Sequence, residues 1–233
     1  MIPLYDNVPS RRRPVVTLTL IAINTMVFLY ELAQSQPGLT SMVYEYGVVP
    51  ERYTGGGGVV ASMAAGGWIP ILTSMFMHGG WMHLIGNMWY LWLFGDNVED
   101  LMGPARFLTF YLVCGFIASM THIWLNAYST IPSIGASGAI AGVLGAYLVA
   151  FPGARVLTLV PIFYFIQTIE LPALVLLGFW FVMQFLSGTA AIVVSSQTTG
   201  GVAYWAHVGG FVAGMLLVKL FAGKPQRYGP RWE

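Results

Sequence analysis

Four polar side chains that could catalyse hydrolysis stand in stretches of the chain that are otherwise apolar. His83 and Asn87 are four residues apart, which places both side chains on one face of a helix. Ser137 and His207 each lie near the start of another apolar stretch. A serine hydroxyl is a weak nucleophile until a neighbouring base removes its proton, and histidine is a suitable base. These residue types therefore indicate nucleophilic catalysis by Ser137 with His207.

A helix that begins at Ser137 would also bind negative charge at its first turn. The leading N–H groups of a helix have no partner within it, and the helix dipole places partial positive charge there. His83 and Asn87 could supply further donors to an oxyanion from a facing helix. The nearest acidic run, Asp96–Asp100, belongs to the far end of that same helix. The predicted catalytic unit is therefore a dyad.

The composition indicates the class of protein to which these residues belong. Of the 233 residues, 57% are hydrophobic and only 8% are charged, and the mean hydropathy is +0.71. A soluble domain carries roughly 25% charged residues, so these values exclude a soluble protein, a disordered chain and a basic nucleic-acid binder. The net charge is +1, and the single cysteine, Cys114, excludes a disulfide framework and a Cys-rich metal site. We predict a multi-pass membrane protein whose immediate partner is the lipid bilayer, without nucleic acid or metal.

Six segments are predicted to cross the membrane as helices, since a span needs about 20 mostly apolar residues. They form a membrane domain over residues 15–222, between an N-terminal segment, 1–14, and a C-terminal tail, 223–233. The fold class is therefore an all-α membrane protein. The segments are about Val15–Ala33, Trp81–Phe94, Phe107–Leu125, Ser137–Phe151, the part of Val156–Leu186 after Pro172, and Val202–Phe221.

The basic residues predict the orientation of these helices. If the N-terminus lies in the cytoplasm, nine of the ten lysines and arginines lie on the cytoplasmic side, and only Arg52 lies outside. Both termini are then cytoplasmic, and the second, fourth and sixth helices enter from outside. His83, Asn87, Ser137 and His207 would consequently lie at a similar depth below the outer surface.

A long loop, from Ser35 to about His78, joins the first two predicted helices on the outer side. It contains two glycine runs, residues 55–58 and 66–67, which are poor helix formers, yet it is rich in apolar residues. We expect this loop to rest against or dip into the outer leaflet. There it could shield a polar cavity from lipid, since irregular backbone at membrane depth must be covered.

The fourth segment is too short to span the hydrocarbon core, because about 15 residues of helix extend only about 22 Å. It is also lined with glycine and alanine, which allow helices to approach closely in lipid. Gly210 and Gly214 form a GxxxG step on the sixth segment. Packing of that step against the fourth segment would bring His207 next to Ser137.

Taken together, four stretches in this order resemble the rhomboid family of intramembrane serine proteases. They are His78–Asn87, Gly95–Glu99, Gly135–Gly138 and Ala206–Gly214. Each stretch alone is a weak signal, but four of them at the ends of the predicted helices are specific. The resemblance covers about Trp68 to Gly214 and implies a six-helix, rhomboid-like bundle with a membrane-associated loop between the first two helices.

The resemblance implies a role for each matching residue. Ser137 would be the nucleophile and His207 the general base, and the Ser137 amide, His83 and Asn87 would bind the oxyanion. His78 matches an additional loop histidine that supports the site, while Gly135, Gly138, Gly210 and Gly214 are structural. The fifth helix and the loop after it would admit substrates, which in this family are transmembrane segments of other proteins. No cofactor is implied, and the expected location is a bacterial plasma membrane.

Two positions depart from the family pattern. Many members have Trp-Arg in the first loop, whereas Trp68 is followed here by Ile69. Several members have an aromatic residue four positions after the nucleophile, packed on the catalytic histidine, whereas this chain has Ala141. The contact that orients His207 must therefore come from elsewhere in the chain.

Two other functions could be carried by a membrane protein with these histidines and this serine. A zinc protease of the zincin type needs two histidines four residues apart, with a glutamate beside the first. His78 and His83 are five residues apart and His78 is followed by glycine, which excludes that pattern. A non-catalytic relative that binds or escorts membrane segments stays open, although loss of the serine or histidine would favour it and both are present. We expect His122 to be structural, and Glu99 to cap a helix or to pair with Arg106.

Overall fold

A computed structural model describes residues 1–55, 57–162, 165–194 and 203–223. Within these residues the chain forms ten α-helices, a π turn, a 3₁₀ turn (Ser74–Phe76) and three short strands. The helices are α1 (Val15–Leu32), α2 (Gln36–Tyr46), α3 (Glu51–Thr54), α4 (Gly58–Ser62), α5 (Trp68–Thr73), α6 (Trp81–Met102), α7 (Pro104–Leu125), α8 (Ser137–Ala150), α9 (Ala173–Val194) and α10 (Tyr204–Phe221). The strands are β1 (Ile2–Asp6), β2 (Arg155–Ile162) and β3 (Phe165–Pro172).

Five helical segments of the described chain are long and apolar enough to cross a membrane. They are Val15–Leu32, Gly58–Phe76, Pro104–Leu125, Ala173–Ala191 and Tyr204–Phe221. Many of their large apolar side chains are exposed, as expected of surfaces that face lipid. The predicted helical membrane bundle is thus confirmed, and the chain is an integral membrane protein.

The segment between α1 and α6 differs from the predicted loop, because much of it is helical. Short helices α2 to α5 and a π turn, Met63–Gly67, fold the apolar residues into compact structure. The glycines interrupt this helical path rather than prevent it. Gly57 precedes α4 with a φ of 136°, and Gly66 lies at a kink with a φ of 91°. Both values belong to the left-handed region that favours glycine.

Helix α8 lies at the centre of the bundle, in contact with α6, α7, α9 and α10. Every residue from Gly138 to Tyr147 is buried. The tightest contact is with α10, where the backbones meet at glycines: a Cβ atom added to Gly210 or Gly214 would overlap the carbonyl oxygen of Gly138 or Gly142, respectively. This contact fixes α8 and α10 in register with each other.

We call the end of the bundle at which α6, α8 and α10 begin the upper end. The opposite end, at which these three helices end and α1 begins, is the lower end. Glu99 anchors the lower end, since its carboxylate accepts hydrogen bonds of 2.9 and 2.8 Å from the N–H groups of Val16 and Thr17. The Thr17 hydroxyl donates to it as well, at 2.7 Å. Glu99 therefore caps α1, which is one of the two roles expected for it, and its described partners do not include Arg106.

A small antiparallel sheet at the lower end was not predicted. β1 pairs with β2, and β2 pairs with β3, which continues directly into α9. The stretch before Pro172 was expected to belong to an apolar segment, but its Val, Ile and Thr residues favour strands. Two polar contacts hold β1 on the helices: Trp89 Nε1–H donates to the Pro3 carbonyl, and the Tyr147 hydroxyl donates to Asp6 Oδ2, both at 2.7 Å.

The glycine contact yields a stability prediction. Gly214→Ala should lower the free energy of unfolding by about 1–3 kcal/mol, because overpacking forces the two helices apart. The measurement is thermal unfolding in detergent micelles. Gly178→Ala on α9 is the matched control, since no described atom lies within 4 Å of its added Cβ. That variant should unfold at or above the temperature of the unchanged protein, because alanine favours helix over glycine by up to about 1 kcal/mol. Equal unfolding temperatures for the two variants would contradict the prediction.

Candidate active site

The structure brings Ser137 and His207 into hydrogen-bonding distance across the contact between α8 and α10. Ser137 is the first residue of α8, and its Oγ lies 2.6 Å from Nε2 of His207. His207 is buried, in the first turns of α10. The expected juxtaposition of the two side chains is therefore observed, and it follows from the close glycine contacts that α8 and α10 make just beyond these two residues.

The turn before Ser137 depends on Gly135, whose φ is 135°. Its N–H donates to the carbonyl of Ser74 at 2.8 Å, which ties the turn to the segment before α6. A Cβ atom added here would lie 2.8 Å from two ring atoms of His83 and 3.6 Å from the Ser137 Oγ. A residue with a side chain would thus be strained at this position and would press on the histidine. The predicted structural role of Gly135 has this physical basis.

His83 and Asn87 face the same cavity from α6. The cavity measures about 710 Å³, and its lining includes both residues together with Ser137 and His207. Nδ1 of His83 accepts a long hydrogen bond, 3.4 Å, from the N–H of Gly79. The Asn87 side chain is buried, and its Nδ2 has no hydrogen-bond partner among the described residues. An unpaired amide donor in a buried site is costly, and a ligand oxygen in the cavity could satisfy it.

His78 lies beside this group rather than within it. Its ring centroid is 5.1 Å from that of His83, and both of its buried ring nitrogens lack a partner in the described part of the chain. The His78 backbone N–H donates to the carboxylate of Glu31 at 3.1 and 3.3 Å. The end of α1 thereby holds the loop histidine against the site. His122 also lines the cavity, and its Nδ1 lies 3.2 Å from Nδ2 of Asn126.

Two residues at the site were missed by the sequence analysis, and both belong to α9. Oε1 of Gln184 lies 2.7 Å from Nδ1 of His207. The Trp180 ring lies against the His207 ring, with centroids 5.7 Å apart and planes tilted by 36°. These contacts occupy the role that Ala141, itself buried, cannot fill. The available signal was a single amide side chain in the apolar stretch after Pro172.

The first loop is held without the Trp-Arg pair. Trp68 begins α5 and is largely exposed, at 55%. Hydrogen bonds to backbone carbonyls tie the loop down instead: the Tyr53 hydroxyl donates to Gly67 at 2.6 Å, and the Thr73 hydroxyl donates to Tyr46 at 2.8 Å.

Two features expected from the sequence fall wholly or partly outside this description. The loop after α9, expected to help admit substrates, lies outside the described residues, as does the tail from residue 224 onward.

Within the described ranges, no group of three or more His, Cys, Asp or Glu side chains could hold a metal ion.

The model of one known protein family matches most of the chain. The family model described as the Rhomboid domain matches residues 65–224. The chain is 31% identical over 153 residues to Rhomboid protein 1, mitochondrial, of Saccharomyces cerevisiae, which covers 64% of this chain and 40% of that relative.

Two further relatives are similar over shorter stretches. Rhomboid protease GluP of Bacillus subtilis is 43% identical over 86 residues, which is 37% of this chain and 16% of the relative. Presenilin-associated rhomboid-like protein A, mitochondrial, of Danio rerio is 35% identical over 112 residues, covering 47% and 29%. The matched part spans less than half the length of each of these three relatives.

Proposed function

Because the chain belongs to the rhomboid family, we propose that it is an intramembrane serine endopeptidase that cleaves transmembrane segments of other membrane proteins. The observation that carries the proposal is the 2.6 Å separation between Ser137 Oγ and His207 Nε2 at the start of a buried helix. One relative bears the name protease, which agrees with this activity. The cavity beside the pair provides the space in which a polypeptide could be hydrolysed.

The proposed reaction proceeds in two steps. His207 Nε2 accepts the hydroxyl proton while Ser137 Oγ attacks the scissile carbonyl carbon, and the carbonyl oxygen becomes an oxyanion. The Ser137 N–H and the side chains of Asn87 and His83 supply donors to that oxyanion. Collapse of the tetrahedral intermediate breaks the C–N bond, and the proton passes from His207 to the leaving amine. A water molecule then attacks the acyl carbon, again with His207 as base, and releases Ser137.

The proposed orientation places both termini in the cytoplasm and the upper end of the bundle outside, in a bacterial plasma membrane. Nine of ten basic residues on one side support this orientation. The Bacillus relative supports the bacterial location, whereas two of the relatives named above are mitochondrial by name. The non-catalytic alternative, in which the protein only binds or escorts membrane segments, is distinguished by the activity measurements that follow.

Ser137→Ala and His207→Ala should each abolish cleavage of a single-pass membrane substrate in proteoliposomes, because each removes one member of the proposed dyad. The measurement is product formation on gels with a panel of such substrates. Ser41→Ala is the control, since Ser41 is an exposed serine on α2, and it should retain the unchanged rate. Cleavage by Ser137→Ala at the rate of the unchanged protein would overturn the dyad. A panel bound but never cut by the unchanged protein would favour the escort function.

Asn87→Ala should lower kcat by at least about tenfold with a smaller change in KM, because the amide acts on charge that develops in the transition state. Loss of one oxyanion donor costs about 10²–10³ in kcat elsewhere, and His83 one turn away can compensate in part. Steady-state kinetics on a cleaved substrate give both constants. Asn24→Ala is the matched control, since that buried amide bonds to Leu20 of its own helix at 2.7 Å. An unchanged kcat in Asn87→Ala would mean that this residue only joins helices.

Cysteine labelling tests the orientation. In a Cys114→Ala background, Thr40→Cys on exposed α2 should react with an impermeant maleimide added to intact cells. Gly153→Cys, in the exposed turn after α8 at the lower end, should react only after the membrane is opened. The reverse pattern would refute the proposed orientation and, with it, the position of the cavity toward the outside.

A further inference from the structure

We propose that Gln184 is a positioning residue that orients His207 and selects the tautomer of its neutral ring, so that the dyad acts as a Ser137–His207–Gln184 array. This inference rests on the proposed function. It starts from one contact, the 2.7 Å separation between Gln184 Oε1 and His207 Nδ1. Gln184 comes from α9, whereas the nucleophile and the base come from α8 and α10.

The location of this amide requires an explanation. Gln184 is the one amide or ionisable side chain in α9, which is otherwise apolar apart from Ser187 and Thr189. Moving an amide from water into an apolar environment without a partner costs roughly 2–7 kcal/mol. His207 Nδ1 provides the partner. The contact thus pairs the amide oxygen of the partly buried Gln184 with Nδ1 of the buried His207.

The amide oxygen determines where the imidazole proton lies. A carbonyl oxygen only accepts hydrogen bonds, so Nδ1 of His207 must carry the proton when it bonds to Gln184 Oε1. In the neutral ring Nε2 is then unprotonated, and its lone pair points at the Ser137 hydroxyl 2.6 Å away. This is the tautomer that a general base requires. The opposite tautomer would present N–H to Ser137 and could not take its proton.

Trp180 supports the same ring from one turn earlier on α9. Residues four apart on a helix share a face, so Trp180 and Gln184 approach His207 together. The indole lies against the imidazole at 5.7 Å and also against Phe211, at 6.0 Å. The tryptophan thereby limits the tilt of the ring, while the glutamine fixes its rotation. Together they supply the orienting contact that Ala141 does not.

The array has a consequence for the timing of catalysis. The hydrogen bond to His207 exists only while α9 is packed against α10. A shift of α9 by about 1 Å would stretch a 2.7 Å contact beyond the range of a hydrogen bond. His207 therefore has the orientation and tautomer of a general base only while α9 is packed against α10.

The test compares Gln184→Met, which keeps the length of the side chain without the amide oxygen, with Gln184→Glu, which keeps an acceptor. Kinetics on a cleaved substrate should show kcat lowered by about 10–100-fold in Gln184→Met, with KM changed less than about twofold. For comparison, replacing the aspartate that orients the histidine of a Ser-His-Asp triad lowers kcat by about 10⁴. Gln184→Glu should retain kcat within about fivefold at pH 7.5, because a carboxyl oxygen can accept the same bond. Ser187→Ala, on the same helix, is the control and should match the unchanged protein.

A second measurement reads the proton directly. Side-chain ¹⁵N spectra should place the His207 proton on Nδ1 in the unchanged protein and in Gln184→Glu, and should show a mixture of tautomers in Gln184→Met. His207→Ala identifies the signal. Unchanged kcat in Gln184→Met, equal losses in the Met and Glu variants, or an unchanged tautomer in Gln184→Met would each overturn the inference.

Failure of the proposed function would look different. In that case the unchanged protein would cleave no faster than Ser137→Ala, and a fluorophosphonate probe would label neither. The ¹⁵N spectra would still report whether Gln184 sets the tautomer of His207, so the two proposals can fail separately.

Discussion

The close approach of α8 and α10 is the constraint on which the rest of the structure depends. Where Gly142 meets Gly214, the backbone of one helix occupies the space that a side chain would fill on the other. Apolar side chains gain little by exchanging lipid for protein, so helices in a membrane associate through tight packing and polar contacts. Ser137 and His207 stand near the starts of the two helices. The same packing therefore sets both the stability of the bundle and the 2.6 Å between these side chains.

Buried polar groups form hydrogen bonds at both ends of the bundle, and at each end some stay without a partner among the described residues. At the lower end the Glu99 carboxylate bonds to the first turn of α1 and Asp6 bonds to Tyr147, while the Oδ1 atom of Asn97 has no partner among the described residues. At the upper end, in the described residues, the Asn87 Nδ2 and both ring nitrogens of His78 stay without a partner. Unpaired buried groups destabilise a fold, and a ligand in the cavity can offset this cost for Asn87, which lines it. In the proposed reaction, a substrate carbonyl oxygen would supply the acceptor that the Asn87 Nδ2 lacks among the described residues.

The sequence was informative where the signal is local or periodic. The starts of α1, α6 and α8 matched the predicted segments, and the GxxxG step correctly indicated which helix meets α8. The sheet was missed because β1 pairs with β2, about 150 residues away, and the residues of neither strand indicate so distant a partner. Gln184 was missed for a related reason. A polar residue in an apolar helix signals a partner, but only the rotation of α9 in the bundle reveals that the partner is His207.

An amide at this position suits the interior of a membrane protein better than a carboxylate would. An ionised carboxylate would stabilise the imidazolium more strongly, but its desolvation in a low-dielectric environment is far more costly than that of a neutral amide. A carboxylate also binds a proton as the pH falls, so the acceptor that it offers near neutral pH would be lost in acid. Gln184 keeps an acceptor directed at Nδ1 at every pH. The amide therefore stabilises the positively charged imidazolium of His207 less than a carboxylate would. In the proposed reaction, the donors near Ser137 must then contribute more of the transition-state stabilisation.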